Sequence, residues 1–325
     1  MTNSVAIVGA GNIGSRHLQG LAAAKRVDRI YLVDPSDGAL QTAAARWREA
    51  AGEDPREPVL LRDPSGLPAD LRLLIVATTA RFRRQALEGA LDGRAPPFVL
   101  LEKFLFQAAD DFGAAAALLE RAGARTWVNT PRPIWPGYRE LKAQLTDGEP
   151  LICRVSGPAR ASIASNTIHF IDLMAFLTGE RRFDFAGTRL AADYDASRHA
   201  GGVEFFGRVA ASTPGGSFFE FSVLADQKGP ITVDLLAPGR RWLIRESQGR
   251  AFALSEANDW SYQESPFAVP FQSQLTGKVV DEILDTGTCG LTPYAASSEL
   301  HLQLLDVYLQ RLREDQPGIQ ACPIT

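Results

Sequence analysis

The chain has 325 residues, of which 45% are hydrophobic and 22% charged. That is an ordinary globular composition, long enough for two domains at roughly 150 residues each and incompatible with wholesale disorder or a fibrous repeat. A formal net charge of −4 supplies no long-range field for nucleic acid or an anionic membrane, and no apolar run approaches the roughly 20 residues that span a bilayer.

The N-terminus passes from Met1 directly into the strand-like Val5 to Val8, without a basic region, long apolar run or cleavage site. From there to Asn129, short β-branched or leucine-rich runs alternate with helical stretches, the pattern of a parallel sheet covered by helices. Strands are expected at Val5 to Val8, Arg29 to Val33, Val59 to Leu61, Leu73 to Ala77, Phe98 to Leu101 and Thr126 to Val128. Alanine-rich Leu40 to Ala51 and Gln107 to Ala122 favour helix. After Pro131-Arg132-Pro133 the style changes. Gly202 to Ala211, Ser217 to Leu224, Ile231 to Leu236 and Arg241 to Glu246 read as longer antiparallel strands, punctuated by Pro214-Gly215-Gly216 and Pro238-Gly239. Ala295 to Asp315 reads as an amphipathic helix. The expected fold is α/β, with a doubly wound Rossmann sheet over 1–130 and an α+β domain on a largely antiparallel sheet over 131–325. The second domain is expected to bind substrate and carry the oligomer contacts.

Directly after the first strand comes Gly9-Ala10-Gly11-Asn12-Ile13-Gly14, with a helix opening near Asn12. Glycine at these positions permits a tight turn, a close backbone approach to a pyrophosphate and close helix–strand packing, and the helix dipole faces the phosphates. The second strand ends in Asp34, twenty positions beyond Gly14. A carboxylate there accepts from adenosine ribose hydroxyls and repels a 2′-phosphate, so NAD is expected over NADP; the alternative is a plain turn residue before Pro35-Ser36.

These residues and further landmarks in order resemble the Gfo/Idh/MocA family, which contains glucose-fructose oxidoreductase and inositol dehydrogenase. Ser15-Arg16-His17 follows the glycine loop, and Ala77-Thr78-Thr79 sits where the family's fourth strand reaches the cofactor. Leu101-Glu102-Lys103 resembles its Glu-Lys-Pro motif, with Phe104 replacing proline. His169-Phe170-Ile171-Asp172-Leu173 with Thr178-Gly179 resembles its His-x-x-Asp-Leu helix. Three segments suggest a subgroup of bacterial surface-sugar biosynthesis: Asn129-Thr130-Pro131-Arg132, Ser165-Asn166-Thr167-Ile168-His169 and Phe271-Gln272-Ser273-Gln274-Leu275. The resemblance implies an NAD(P)-dependent dehydrogenase or reductase acting on a sugar, nucleotide-sugar or sugar acid. It also implies a cofactor lined by Gly9, Gly11, Asn12, Ile13, Gly14, Asp34, Thr78, Thr79, Glu102 and Lys103.

Hydride removal from a secondary alcohol needs a group to take the hydroxyl proton, and a neutral histidine suits this near neutral pH. His169 is the candidate base, an isolated histidine at a helix start being the bland reading. Lys103, at the end of the fifth strand, is placed to stabilise charge on the reacting oxygen, and the two are expected to act on one substrate oxygen. The chain departs from the family at Ser165, where relatives carry an aspartate four positions before the histidine, and at Arg83, where many have histidine. Asn166 is not a carboxylate, and Asp172 is more in place as a supporting group.

Asn129, Trp135, Ser165, Asn166 and Asp172 are candidate substrate contacts. Arg132 reads equally as a carboxylate or phosphate clamp and as a tie between linker and helix end. Tyr138, Arg198 and His199 carry a weaker signal. Arg81, Arg83, Arg84, Arg240 and Arg241 read mostly as solvated faces. Cys153, Cys289 and Cys322 have neither CxxC spacing nor an even count, and His301 and Cys289 show no ligand pattern, so no metal or disulfide is expected and a reducing cytoplasm fits best. Apolar residues on both faces of Phe218 to Leu224 suggest a homodimer or homotetramer. Two alternatives stay open: a redox-neutral epimerase, lyase or glycosidase retaining NAD, and an inactive NAD-binding regulator.

Overall fold

The computed structural model describes residues 2–193 and 201–324; Arg198 and His199 lie outside the described residues. In chain order the elements begin β1 (Ser4–Val8), α1 (Asn12–Leu21), β2 (Arg29–Val33), α2 (Asp37–Ala51), β3 (Val59–Leu61), β4 (Leu73–Val76), α3 (Ala80–Leu91), β5 (Phe98–Glu102), α4 (Asp110–Arg121) and β6 (Arg125–Asn129). They continue with α5 (Pro136–Lys142), β7 (Ile152–Gly157), α6 (Ile163–Thr178), β8 (Arg189–Asp193), β9 (Glu204–Ser212), β10 (Phe218–Val223), β11 (Thr232–Ala237), β12 (Arg240–Arg245), β13 (Arg250–Ser255) and β14 (Gln263–Pro266). The last are α7 (Gln272–Thr286), β15 (Thr292–Pro293) and α8 (Tyr294–Asp315).

The chain divides into two compact units, one of Met1–Asn129 with Pro270–Ala295, the other of Thr130–Val269 with Ala296–Thr325. A single cut after residue 130 therefore differs from what is found: 270–295 returns to the first unit. The reason is packing of α7 on α1, where Gly20 and Gly277 let the helices approach so closely that a Cβ on Gly277 would stand 2.6 Å from the Gly20 carbonyl oxygen.

The first unit holds a sheet in the order β15-β6-β5-β4-β1-β2-β3, parallel except for β15. Its central strands are apolar throughout because helices cover both faces: every residue of β1, β4 and β5 is buried. β1 lies between β2 and β4. The winding reverses there, and the crevice at the strands' carboxyl ends is where such sheets hold ligands.

The second unit is built on β14-β13-β12-β11-β7-β10-β9-β8, antiparallel except between β7 and β10. Its inner face is fully buried at Phe219, Phe221, Val233 and Leu235. It packs on α6 through Phe221 against Phe170 and on α8 through Phe205 stacked on Tyr308, ring centroids 5.3 and 4.9 Å apart. The other face keeps Leu224 63% and Leu236 36% exposed. None of the described helices is long and apolar enough to cross a membrane.

Candidate functional site

In the first unit the glycine loop joins β1 to α1. Gly9 has φ +100°, which side chains disfavour, and a Cβ on it would lie 2.8 Å from the Thr78 nitrogen. A Cβ on Gly14 would collide with the Gly9 carbonyl oxygen, whereas one on Gly11 meets nothing within 4 Å. The turn is thus closed from within at Gly9 and Gly14 and open outward at Gly11, with Asn12 and Ile13 exposed beside it. No side chain caps the N-terminus of α1, so its first amides are available to an anion.

Asp34 does two things at the end of β2. Its Oδ2 accepts from the Ala10 amide at 2.7 Å and its Oδ1 from Ser36 at 2.9 Å. It is therefore both the turn residue of the bland reading and a brace on the glycine loop. Each oxygen keeps a second lone pair for ribose hydroxyls. Thr78, just past β4, has a buried hydroxyl oxygen with no protein partner, while Thr79 is exposed as the residue preceding α3. An outward-open glycine turn, uncapped amides, a carboxylate at the second strand and an unsatisfied hydroxyl fit a dinucleotide.

Lys103 follows β5 directly and is half-buried. Two features hold the backbone around it. Arg83, expected at the surface, is buried instead. Its guanidinium donates to the carbonyls of Phe104, Thr78 and, at 2.8 Å, Leu105. Burial pulls the Arg83 pKa down to about 10, opposed by the charge of Glu102. It stays cationic at neutral pH. Arg81 is exposed, and Arg84 pairs with Glu88 and Asp111.

The second feature is a buried network that holds both Glu102, expected at the cofactor, and Asn129, expected at the substrate. Glu102 is only 4% exposed, and its Oε1 accepts from His17 Nε2 at 2.8 Å and from Asn129. Asn129 also donates to Gln272 Oε1 at 2.8 Å, and His17 Nδ1 meets Thr276 Oγ1 at 3.0 Å. Burial alone would raise the Glu102 carboxyl, but His17, Asn129 and Arg83 hold it below its ordinary value. The polar groups spend their bonding inside this network because each would otherwise be buried unpaired. His17 and Gln272 stood in quoted motifs, but nothing in their spacing pairs them with Glu102.

In the second unit α6 carries His169, half-buried at the seventh residue of the helix, in its second turn rather than at its start. Asp172 is buried on the same helix at 1% exposure. Asn166 donates its amide to the Ala161 carbonyl and so fastens the helix entrance. Ser165 Oγ lies 2.9 Å from Ser162 Oγ, and Ser162 donates to Glu204 on β9. Sequence reasoning missed Glu204, whose position forty residues away gives no local signal.

Of the two readings of Arg132, its bonds in the structure are those of the tie. Its Nε and Nη2 grip Glu246 at 2.8 and 2.6 Å, Tyr138 donates to the same carboxylate at 2.6 Å, and Phe170 lies under the guanidinium at 4.0 Å. The planar fork is spent within the protein. Burial and the Glu246 charge push the Tyr138 hydroxyl well above its ordinary pKa. Trp135 stacks on Tyr138, centroids 6.0 Å apart, and its buried indole N–H has no partner. Arg240 and Arg241 pair with Glu149 and Asp234, with the Arg241 side chain still 44% exposed to solvent. Cys153 and Cys322 are buried and free, and His301 is buried on α8 with its Nδ1 2.8 Å from the Ser297 carbonyl oxygen.

Residues 3–130 match the profile of the Gfo/Idh/MocA oxidoreductases, described as an oxidoreductase family with an NAD-binding Rossmann fold. No curated protein sequence matches the chain. Among solved structures, the fold is similar to UDP-N-acetylglucosamine 3-dehydrogenase GnnA from Acidithiobacillus ferrooxidans, with TM-score 0.71 and 14% identity over 95% of this chain and 97% of that one. An oxidoreductase from Agrobacterium radiobacter in complex with NAD+, L-tartaric acid and magnesium gives 0.71 and 16% over 97% and 98%. Scyllo-inositol dehydrogenase from Lactobacillus casei with NAD(H) and scyllo-inositol gives 0.67 and 14% over 97% and 98%. Residues 3–130 thus match the Gfo/Idh/MocA oxidoreductase family with its NAD-binding Rossmann fold, and the chain as a whole shares its fold with these dehydrogenase structures.

Proposed function

We propose that the protein is an NAD-linked dehydrogenase or reductase working at a hydroxyl or keto carbon of a sugar, nucleotide-sugar or sugar acid. The observation that carries this is the outward-open glycine turn beside Asp34, on the same sheet edge as Lys103. When bound, NAD supplies the hydride acceptor. The protein's part is to hold its pyrophosphate on the α1 amides and its ribose on Asp34. His169 takes the hydroxyl proton, and the Lys103 ammonium stabilises charge on the reacting oxygen. Structural neighbours acting on a UDP-sugar and an inositol, and one holding tartrate, support a polyhydroxylated substrate. Three free cysteines favour the cytoplasm.

Incubation with NAD and a panel of UDP-N-acetylhexosamines, inositols and aldaric acids tests the reading by absorbance of NADH. Stoichiometric NADH supports it. Product without NADH indicates the redox-neutral alternative, and NAD binding without turnover the regulator. The exposed Leu224 and Leu236 on the open sheet face of the second unit further support a homo-oligomer. A monomeric mass by light scattering at micromolar concentration would remove that part.

A further inference from the structure

Arg83 is a buried cation with no carboxylate against it. It is 1% exposed on α3 and, among the described residues, forms no ion pair, while its Nε finds no acceptor. Arg132, also buried, is by contrast gripped by Glu246. A charge inside a protein is costly unless it is paired, so the position of this one needs a reason. What holds it is a fan of carbonyl dipoles. The guanidinium donates to the Thr78 carbonyl just past β4 and to those of Phe104 and Leu105 just past β5, with the Lys103 carbonyl 3.5 Å away. β4 and β5 are parallel neighbours, so the guanidinium bridges the carboxyl ends of adjacent strands. A neutral amide could donate to the same carbonyls, and the charge is what remains to be explained.

Those strand ends face one half of the crevice. The glycine turn and Asp34 lie at β1 and β2, on the other side of the point where the winding reverses. A dinucleotide lies across such a crevice. On the reading that Asp34 takes the adenosine ribose, the nicotinamide half falls to the ends of β4 and β5. Oxidised nicotinamide is a cation and reduced nicotinamide is neutral, whereas the phosphates and riboses are the same in both. A fixed positive charge at that end therefore tells the two apart. We propose that Arg83 sets the preference of the site for the oxidation state of its cofactor, its charge disfavouring NAD+ relative to NADH. Buried as it is, Arg83 acts through its field and not by touching the cofactor. Two unit charges about 10 Å apart at an effective dielectric of about 20 change a binding constant roughly tenfold. Glu102, the carboxylate whose charge reaches Arg83, lowers the net preference of the site. It does not lower the change produced by neutralising Arg83 alone, because pairwise Coulomb energies add.

The ratio of the NAD+ and NADH dissociation constants, measured on the full chain by calorimetry, reads this charge without any substrate. Damage to the strand ends weakens both forms together and leaves the ratio where it was, so the ratio separates field from fold. Arg83→Gln keeps a donor for the carbonyls and removes the charge. The ratio of the NAD+ constant to the NADH constant should fall at least threefold, a bound that leaves room for screening by salt. Arg83→His, compared with wild type at pH about 8.5, where histidine is ordinarily neutral, is a second neutral variant. Arg83→Lys keeps the charge and loses the planar fork, and its ratio should stay within about twofold of wild type. A fall of less than threefold in the neutral variants, or an equal fall in Arg83→Lys, overturns the assignment. Failure of the wild-type chain to bind either form would instead remove the dinucleotide reading on which it rests.

Discussion

The glycine turn of the first unit and the α6 entrance of the second solve similar problems by opposite means. At residues 9–14 the geometry is made by backbone, and each constraint acts on a near sequence neighbour or an adjoining strand. At residues 162–166 it is made by side chains, and the controlling group arrives from β9. Backbone geometry is written in glycine spacing and can be read. A side-chain network can be built from many residue types at many separations, so its members have no signature.

The largest expected effect comes from closing the turn from within. Gly14→Val should abolish NAD binding by calorimetry and lower the melting temperature, because its Cβ collides with backbone that cannot yield. Retained affinity would mean the turn is not rigid. His169→Ala and Lys103→Ala should each lower kcat by roughly 10²–10⁴-fold on whichever substrate is found, with the NAD dissociation constant within about twofold. An equal loss of NAD affinity would show that the residue serves the fold or the cofactor instead.

Breaking the second unit's side-chain networks should cost stability. Glu246→Gln leaves Arg132 buried without a counter-charge, and loss of one partner of such a pair costs about 3–5 kcal/mol in denaturant midpoints. A change under about 1 kcal/mol would show the pair to be solvated. In the first unit, Glu102 gives a pH signature. Its folded carboxyl lies below the unfolded value despite burial. The stability it contributes is therefore present above about pH 4.3 and lost as pH falls through the folded pKa. Glu102→Gln should be less stable than wild type at pH 7, with the gap narrowing below about pH 4; a constant gap would contradict the linkage. The smallest effect separates binding from folding. Gly11→Ala meets no protein atom, so its melting temperature should stay within about 1 °C while NAD affinity falls about tenfold, the cost of a methyl where phosphate approaches.

Much of the frame was legible. The strands from β1 to β6 and four of those in the second sheet follow from apolar runs bounded by turns, and α8 from its periodicity. β7, β8, β13 and β14 were not anticipated: β14 is exposed throughout and β8 only partly buried, so neither carries the apolar pattern of a packed strand. β15 has only two residues. The return of 270–295 to the first unit is equally silent locally, since an amphipathic helix does not name the surface that covers its apolar side.

The sequence by itself determined the phosphate cradle, the carboxylate after β2, the place of Lys103 at a strand end and the place of His169 on a helix, because each depends on neighbours close in the chain. Only tertiary structure decided that Arg83 and Arg132 are interior ties, that Glu102 and Asn129 spend their bonds on His17 and Gln272, and that Glu204 stands behind Ser162 and Ser165. Buried polar groups must be satisfied by whatever partner the fold delivers. That partner is set by sheet order and helix packing, which no spacing along the chain encodes.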